Sequence, residues 1–155
     1  MQLLRKCASF TKDKSELKNI HILFVRSILE QSCVVWHSSL NNEDSENLER
    51  VQKSAIKIIL QEAYSDYIDG LYRLNIETLS ERRNTLCKNF AKETTKHEKL
   101  TNMFPKSEVI PYMKTRKQET FKVNMALTER YKSSAIPQMQ RLLNESFTDK
   151  EYEEA

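Results

Sequence analysis

Residues 27–60 read SILEQSCVVWHSSLNNEDSENLERVQKSAIKIIL. The run Cys33, Val34, Val35 and Trp36 is apolar on several faces, and His37 follows it. A helix end of this kind belongs where more than one side is buried. A polar turn over 41–45 comes next. Within it Asp44 or Ser45 can cap a second helix, with Glu46 and Glu49 near its positive end. Leu48, Val51, Gln52, Ala55, Ile58 and Ile59 then share one face at helical spacing, with Lys53 and Lys57 opposite. Upstream, Asp13 and Glu16 form a D-x-x-E start signal, and Leu17, Ile20, Leu23/Phe24, Ser27/Ile28 and Gln31 trace an inward stripe. The pattern predicts two long helices, over 13–37 and 44–61, packed antiparallel as an αα-hairpin.

Composition points the same way. The chain has 155 residues, enough to bury a core, and contains one glycine, Gly70, and three prolines. Tight β-hairpins, phosphate-cradling loops and dinucleotide fingerprints all need several residues that tolerate positive φ, usually Gly. Their scarcity leaves an all-α fold, an irregular bundle of about five or six helices. Cys7, Cys33 and Cys87 are widely spaced, odd in number and preceded by no leader-like segment. They read as reduced, core-facing thiols of an intracellular protein, cytoplasmic or nuclear. With no C-x-x-C or H-x-x-x-H pair, neither a metal site nor a cofactor is indicated. The longest apolar run, over 20–25, is broken by His21 and is too short for a membrane span.

Other elements follow by period and capping. Residues 1–10 place Leu3, Leu4, Cys7 and Phe10 on one face, as if a helix were already under way and the chain a fragment of a larger ancestor. Ser65 or Asp66 can start a helix carrying Ile68, Leu71 and Leu74, in which Gly70 costs about 1 kcal/mol relative to Ala. Thr78-Leu-Ser-Glu81 is a capping box. The helix behind it, to about His97, has the stripe Leu79, Arg82, Leu86, Cys87, Phe90 and Ala91. From Pro105 to Lys122 the helical period is lost, which predicts a loop with a short extended piece near 119–123. Ser133 or Ser134 can start a last helix with Pro137 in its first turn. The expected organisation is a helical domain over 1–104, a basic loop and docking helix over 105–144, and an acidic tail without fixed structure over 145–155.

Three stretches carry a resemblance. In the first, Arg26, Leu29, Glu30, Val35, Trp36, His37 and Leu40 fit R-x-x-L-E-Y-x-x-x-V-W-H-x-x-L, with Gln31 in place of the aromatic. It continues with Leu48, Glu49, Gln52, Ala55, Ile58 and Ile59, which fit L-E-x-x-Q-x-x-A-x-x-I-I. In the second, residues 74–90 fit L-x-L-x-T-L-x-x-R-R-x-x-L-x-x-x-F, with Ile76 in place of the second Leu. In the third, Thr128, Arg130, Ser134, Ile136, Pro137, Arg141 and Asn144 fit T-x-R-x-x-x-S-x-I-P-x-x-x-R-x-x-N. In this order they resemble the thumb and post-polymerase region of reverse transcriptases from non-LTR retrotransposons of the LINE or jockey kind. The resemblance covers about two-thirds of the chain. It implies a role in supporting RNA/DNA template–primer binding beside the rest of a reverse transcriptase. It does not imply catalysis, because the paired-carboxylate palm hairpin that holds two metals is absent from the sequence.

Charge supplies the candidate interface. Between Lys106 and Arg141 stand eight basic and three acidic residues, a net of +5, whereas 145–155 carries −4. Lys114, Arg116 and Lys117, flanked by Tyr112 and Phe121, are the first candidates for RNA or RNA–DNA duplex phosphates, and Lys122, Arg130 and Lys132 extend the set. A solvated loop is the plainer alternative. Trp36 and His37 read as core, with base stacking as the alternative, and Leu48, Gln52, Ile58, Leu86 and Phe90 also read as core. Arg82-Arg83 reads as a structural pair rather than a phosphate clamp, since a first helical turn disfavours cations. The expected partners exclude membrane and small-molecule substrates. Two other outcomes compete: a helical protein-interaction module derived from a transposon, and a relic without function.

Overall fold

The computed structural model describes residues 1–106, 121–123 and 125–153, with side chains as far as Glu145. The fold is all-α. Among the described residues there is no strand, only an isolated antiparallel bridge between Lys106 and Phe121. The chain divides into two compact units: Met1–Cys33 with Leu40–Arg83, and Val34–Ser39 with Asn84–Ala155. These units follow other bounds than the expected helical domain over 1–104. Each unit holds its own apolar cluster, built by long-range packing rather than by chain order.

The first unit holds α1 (Gln2–Phe10), α2 (Lys14–Ile20), α3 (Ser27–Glu30), α5 (Asn42–Leu60) and α6 (Tyr67–Leu74), and its core of Leu4, Leu17, Ala55, Ile56, Ile59 and Leu71 comes from α1, α2, α5 and α6. Asp13 caps α2 by accepting from the Ser15 N–H at 2.8 Å. Asn41, not Asp44 or Ser45, caps α5, accepting from the Asp44 N–H at 2.7 Å. The helix thus begins inside the stretch expected to be a turn. The α5 stripe is Gln52, Ala55, Ile56, Ile59 and Leu60, while Leu48, Val51 and Ile58 lie half-buried on its flank. The stripe is rotated because α5 packs on α1, α2 and α6 at once.

The helix expected over 13–37 is interrupted. It runs as α2, a π-helical turn over His21–Arg26 and α3, then breaks at Gln31 and Ser32 before α4 (Cys33–Trp36). Ser32 has φ 54°, a left-handed value that ends any helix. The π turn takes an extra residue per hydrogen-bonded loop and carries the inward face from Leu17 to His21, both fully buried. Leu23, Phe24 and Ile28, expected on the inward stripe, are turned out, at 65%, 56% and 71% exposure. In α1, Leu4 is buried but Phe10 is exposed.

α6 ends in a Schellman arrangement. Asn75 takes the left-handed conformation with φ 48°, and the Ile76 N–H donates to the Leu71 carbonyl at 3.0 Å. Gly70 faces α5 so closely that a Cβ there would stand 2.6 Å from Ile56 Cγ2. Ile56 is fully buried, and its β-branched side chain is fixed at χ1, so it cannot yield. Gly70→Ala should therefore destabilise the protein by about 1–2 kcal/mol despite Ala's better helix propensity. Urea denaturation checks this, and a stabilised variant would contradict the close approach.

In the second unit, α4 leads into a 3₁₀ turn, His37–Ser39. α7 (Leu79–Lys96), a 3₁₀ turn over Thr101–Met103, α8 (Glu129–Lys132) and α9 (Ala135–Glu153) follow, with the first residues of α7 belonging to the first unit. The capping box forms as expected: the Glu81 N–H donates to Thr78 Oγ1 and the Thr78 N–H to Glu81 Oε2, both at 3.2 Å. The buried side of α7 is Leu79, Arg83, Cys87, Ala91 and Thr94, one position round from the expected stripe. Phe90 is consequently 46% exposed, a correction to its core assignment, and Leu86 is half-buried. The small cluster Ala91, Phe104, Phe121, Met139 and Leu143 forms this unit's core. Trp36 is half-buried. α9 continues to Glu153, through most of the stretch expected to lack structure.

Candidate nucleic-acid interface

Among the described residues, α9 positions two of the basic segments beyond Pro105. Asn144 pairs with the backbone of Phe121 in both directions: the Phe121 N–H donates to its Oδ1 and its Nδ2 donates to the Phe121 carbonyl, each at 2.9 Å. The Lys122 N–H donates to the Pro105 carbonyl at 2.8 Å. Thr128 caps α8, accepting from the Tyr131 N–H at 3.3 Å, and Arg141 Nη1 donates to the Lys132 carbonyl at 3.1 Å. Arg141 and Asn144 are three residues apart, on one helical face. Two basic segments are thus anchored to the same turn of α9, one residue before Lys122 and at Lys132 itself.

Of the candidate cations, Lys122, Arg130 and Lys132 are exposed and belong to these segments. Lys132 also pairs with Glu129 at 3.3 Å, a solvated contact worth little. Lys114, Arg116 and Lys117 lie outside the described residues. Arg141 and Asn144 were not legible as anchors, because their partners are backbone groups brought near only by the fold.

Several other residues of the resemblance build internal contacts. His37 Nε2–H donates to Asn84 Oδ1 at 2.9 Å. Arg26 and Arg82 meet Glu30 at 3.1 and 3.5 Å, and Arg82 also meets Glu77 at 3.6 Å. Arg83 is fully buried and donates to Ser45 Oγ at 3.1 Å. Arg82 and Arg83 are thus both used structurally. Gln52, fully buried, donates from Nε2 to Tyr67 Oη at 3.2 Å and to the Glu77 carbonyl at 3.0 Å. Tyr67 donates to Glu49, whose carboxylate also accepts from the Leu79 N–H at 3.3 Å. Burial, reinforced by Glu49, pushes the Tyr67 hydroxyl well above its usual range.

His21 sits beside this network. Neither ring nitrogen has a hydrogen-bond partner among the described residues. Burial, with help from the Arg26 charge, lowers its pKa to about 4. The Gln52 amide pulls the other way, but weakly, because its oxygen lies outside hydrogen-bond geometry.

Among the described residues no three His, Cys, Asp or Glu side chains gather as a metal site, and no helix is long and apolar enough to cross a membrane. Compared with protein-family models, with curated proteins and with solved structures, the chain matches none.

Proposed function

We propose that this chain is a non-catalytic helical module, akin to the post-polymerase region of a non-LTR retrotransposon reverse transcriptase, that supports RNA or RNA–DNA duplex by holding backbone phosphates. The observation that carries the reading is the double anchorage on α9, which holds Lys122, Arg130 and Lys132 beside one helical turn. A fixed set of exposed cations meets a phosphate backbone with less ordering cost than cations on a free loop. The order of the three stretches supports the parentage. So does their use in the fold, since Glu30, Glu49, Gln52, Arg82, Thr128, Arg141 and Asn144 all make fold-defining contacts.

The test is fluorescence anisotropy with labelled RNA and RNA–DNA duplexes of unrelated sequence. Binding should be indifferent to sequence. If three phosphates are contacted, it should weaken roughly 40-fold when salt rises fourfold. Sequence-selective binding, or affinity unchanged by salt, would contradict phosphate holding.

A second reading, a protein-interaction module, is favoured by one observation. Leu23, Phe24 and Ile28 expose apolar surface along one continuous helical stretch of the first unit.

A further inference from the structure

A cavity of about 390 Å³ opens on the first unit, and none of the candidate nucleic-acid cations lines it. Leu60 and Leu74 supply the apolar part of its wall, and Lys14, Lys18 and Arg73 supply three cations. Ser15 and Asn75 add neutral polar groups, and no carboxylate lines it.

The charges are poorly compensated. Lys14 and Lys18 are one helical turn apart, and among the described residues neither makes an ion pair or a side-chain hydrogen bond. Like charges at this spacing repel. The neighbouring acids are engaged elsewhere, Asp13 as a helix cap and Glu16 by the Thr11 hydroxyl at 2.7 Å. Arg73 is paired with Asp69, with Nε 2.7 Å from the carboxylate, at the half-exposed surface. The Ser65 hydroxyl and then Arg73 hold the Asp69 carboxyl below the usual carboxylate range. No second acid meets Arg73 among the described residues, and its planar guanidinium carries donors beyond the one at Nε.

We propose that this cavity binds a phosphate-bearing anion. The Arg73 fork and two lysine ammonium groups match the tetrahedral oxyanion, and its charge relieves the Lys14–Lys18 repulsion. The cavity is larger than one phosphate, and the wall of Leu60 and Leu74 takes the apolar part of an organic phosphate. The site goes beyond the nucleic-acid reading and beyond the sequence expectation, which included no small-molecule ligand. The same oxyanion chemistry occurs in small organic phosphates and in a phosphodiester backbone.

Backbone amide NMR shifts during titration with inorganic phosphate and pyrophosphate, at constant ionic strength, test the proposal. The Ser15 and Asn75 amides should shift and saturate. Lys14→Ala/Lys18→Ala, at an exposed and a half-buried position, should weaken pyrophosphate binding about tenfold or more. Arg73→Gln, with its charge removed and its polar stem kept, should weaken it similarly, and Lys92→Ala on exposed α7 should leave it unchanged. Non-saturating shifts, or an affinity unaltered by both the double variant and Arg73→Gln, overturn the site. A short single-stranded oligonucleotide separates the sources. If the double variant weakens it in step with pyrophosphate, the site holds backbone phosphate. If only pyrophosphate is weakened, it holds a small phosphate. Either result supports the oxyanion site. Lys122→Ala/Arg130→Ala/Lys132→Ala should leave the pyrophosphate response intact, so failure of the α9 reading is read separately.

Discussion

Between pH 6.5 and about pH 4 the protein should lose about 3 kcal/mol of stability through His21 alone. The sign follows from the proton balance. In the unfolded chain the imidazole has its ordinary pKa of 6.5, whereas burial and the Arg26 charge lower it to about 4 in the fold. Above 6.5 both states are neutral there. As pH falls through the window the unfolded state takes up a proton that the native state refuses, so stability drops until about pH 4 and then levels. Carboxylates such as Asp69 and Glu93, whose pKa values are lowered by hydrogen bonds to Ser65 and Lys96 respectively, also make stability fall in acid. Comparison with a variant cancels their share. His21→Leu removes the proton site and two buried nitrogens without hydrogen-bond partners among the described residues. It should be neutral or stabilising at pH 7. Urea denaturation at pH 7 and pH 4 should show the wild type falling by about 3 kcal/mol more than the variant. Parallel falls would mean that His21 is not a buried neutral group.

Gln52→Ala should cost about 3 kcal/mol. Gln52 donates to both Tyr67 Oη and the Glu77 carbonyl, so it joins α5, α6 and the approach to α7. Truncation strips a donor from each acceptor and opens a cavity in the wall of the core. Gln52→Leu should restore the volume but not the donors, and so recover only part of the loss. Combined with Tyr67→Phe, the cost should be clearly less than additive, since both residues act in one network with Glu49. A loss under about 1 kcal/mol for Gln52→Ala would show that the network does not stabilise the fold.

How much of this could be read in advance depended on range. The capping box at Thr78 and the Asp13 cap rest on hydrogen bonds within four residues, and both were legible. So was the all-α class, because one glycine leaves few other options. The break at Gln31 and Ser32 was not, because nothing in those residue types demands a left-handed φ. The π turn then displaced Leu23 and Phe24 from a stripe that assumed regular winding. Gly70 looked like a simple propensity cost, but packing against Ile56 requires it. At the candidate interface the cations were visible as a charge excess, whereas their anchors, Arg141 and Asn144, act on backbone groups that only the fold brings within reach. The cavity on the first unit was invisible for the same reason: residues around 14–18, 60 and 73–75 line it together.

The central claim is that cations held by α9 neutralise backbone phosphate. The most direct measurement is the slope of log binding constant against log salt concentration, for an RNA–DNA duplex, in the wild type and in Lys122→Ala/Arg130→Ala/Lys132→Ala. These three side chains are exposed, and replacing them keeps the Asn144 and Arg141 anchors intact. The account predicts a slope smaller in magnitude by up to ~3 in the variant, about one for each phosphate that is no longer neutralised. A variant that binds with the wild-type slope would contradict it, as would a wild type that fails to bind at low salt.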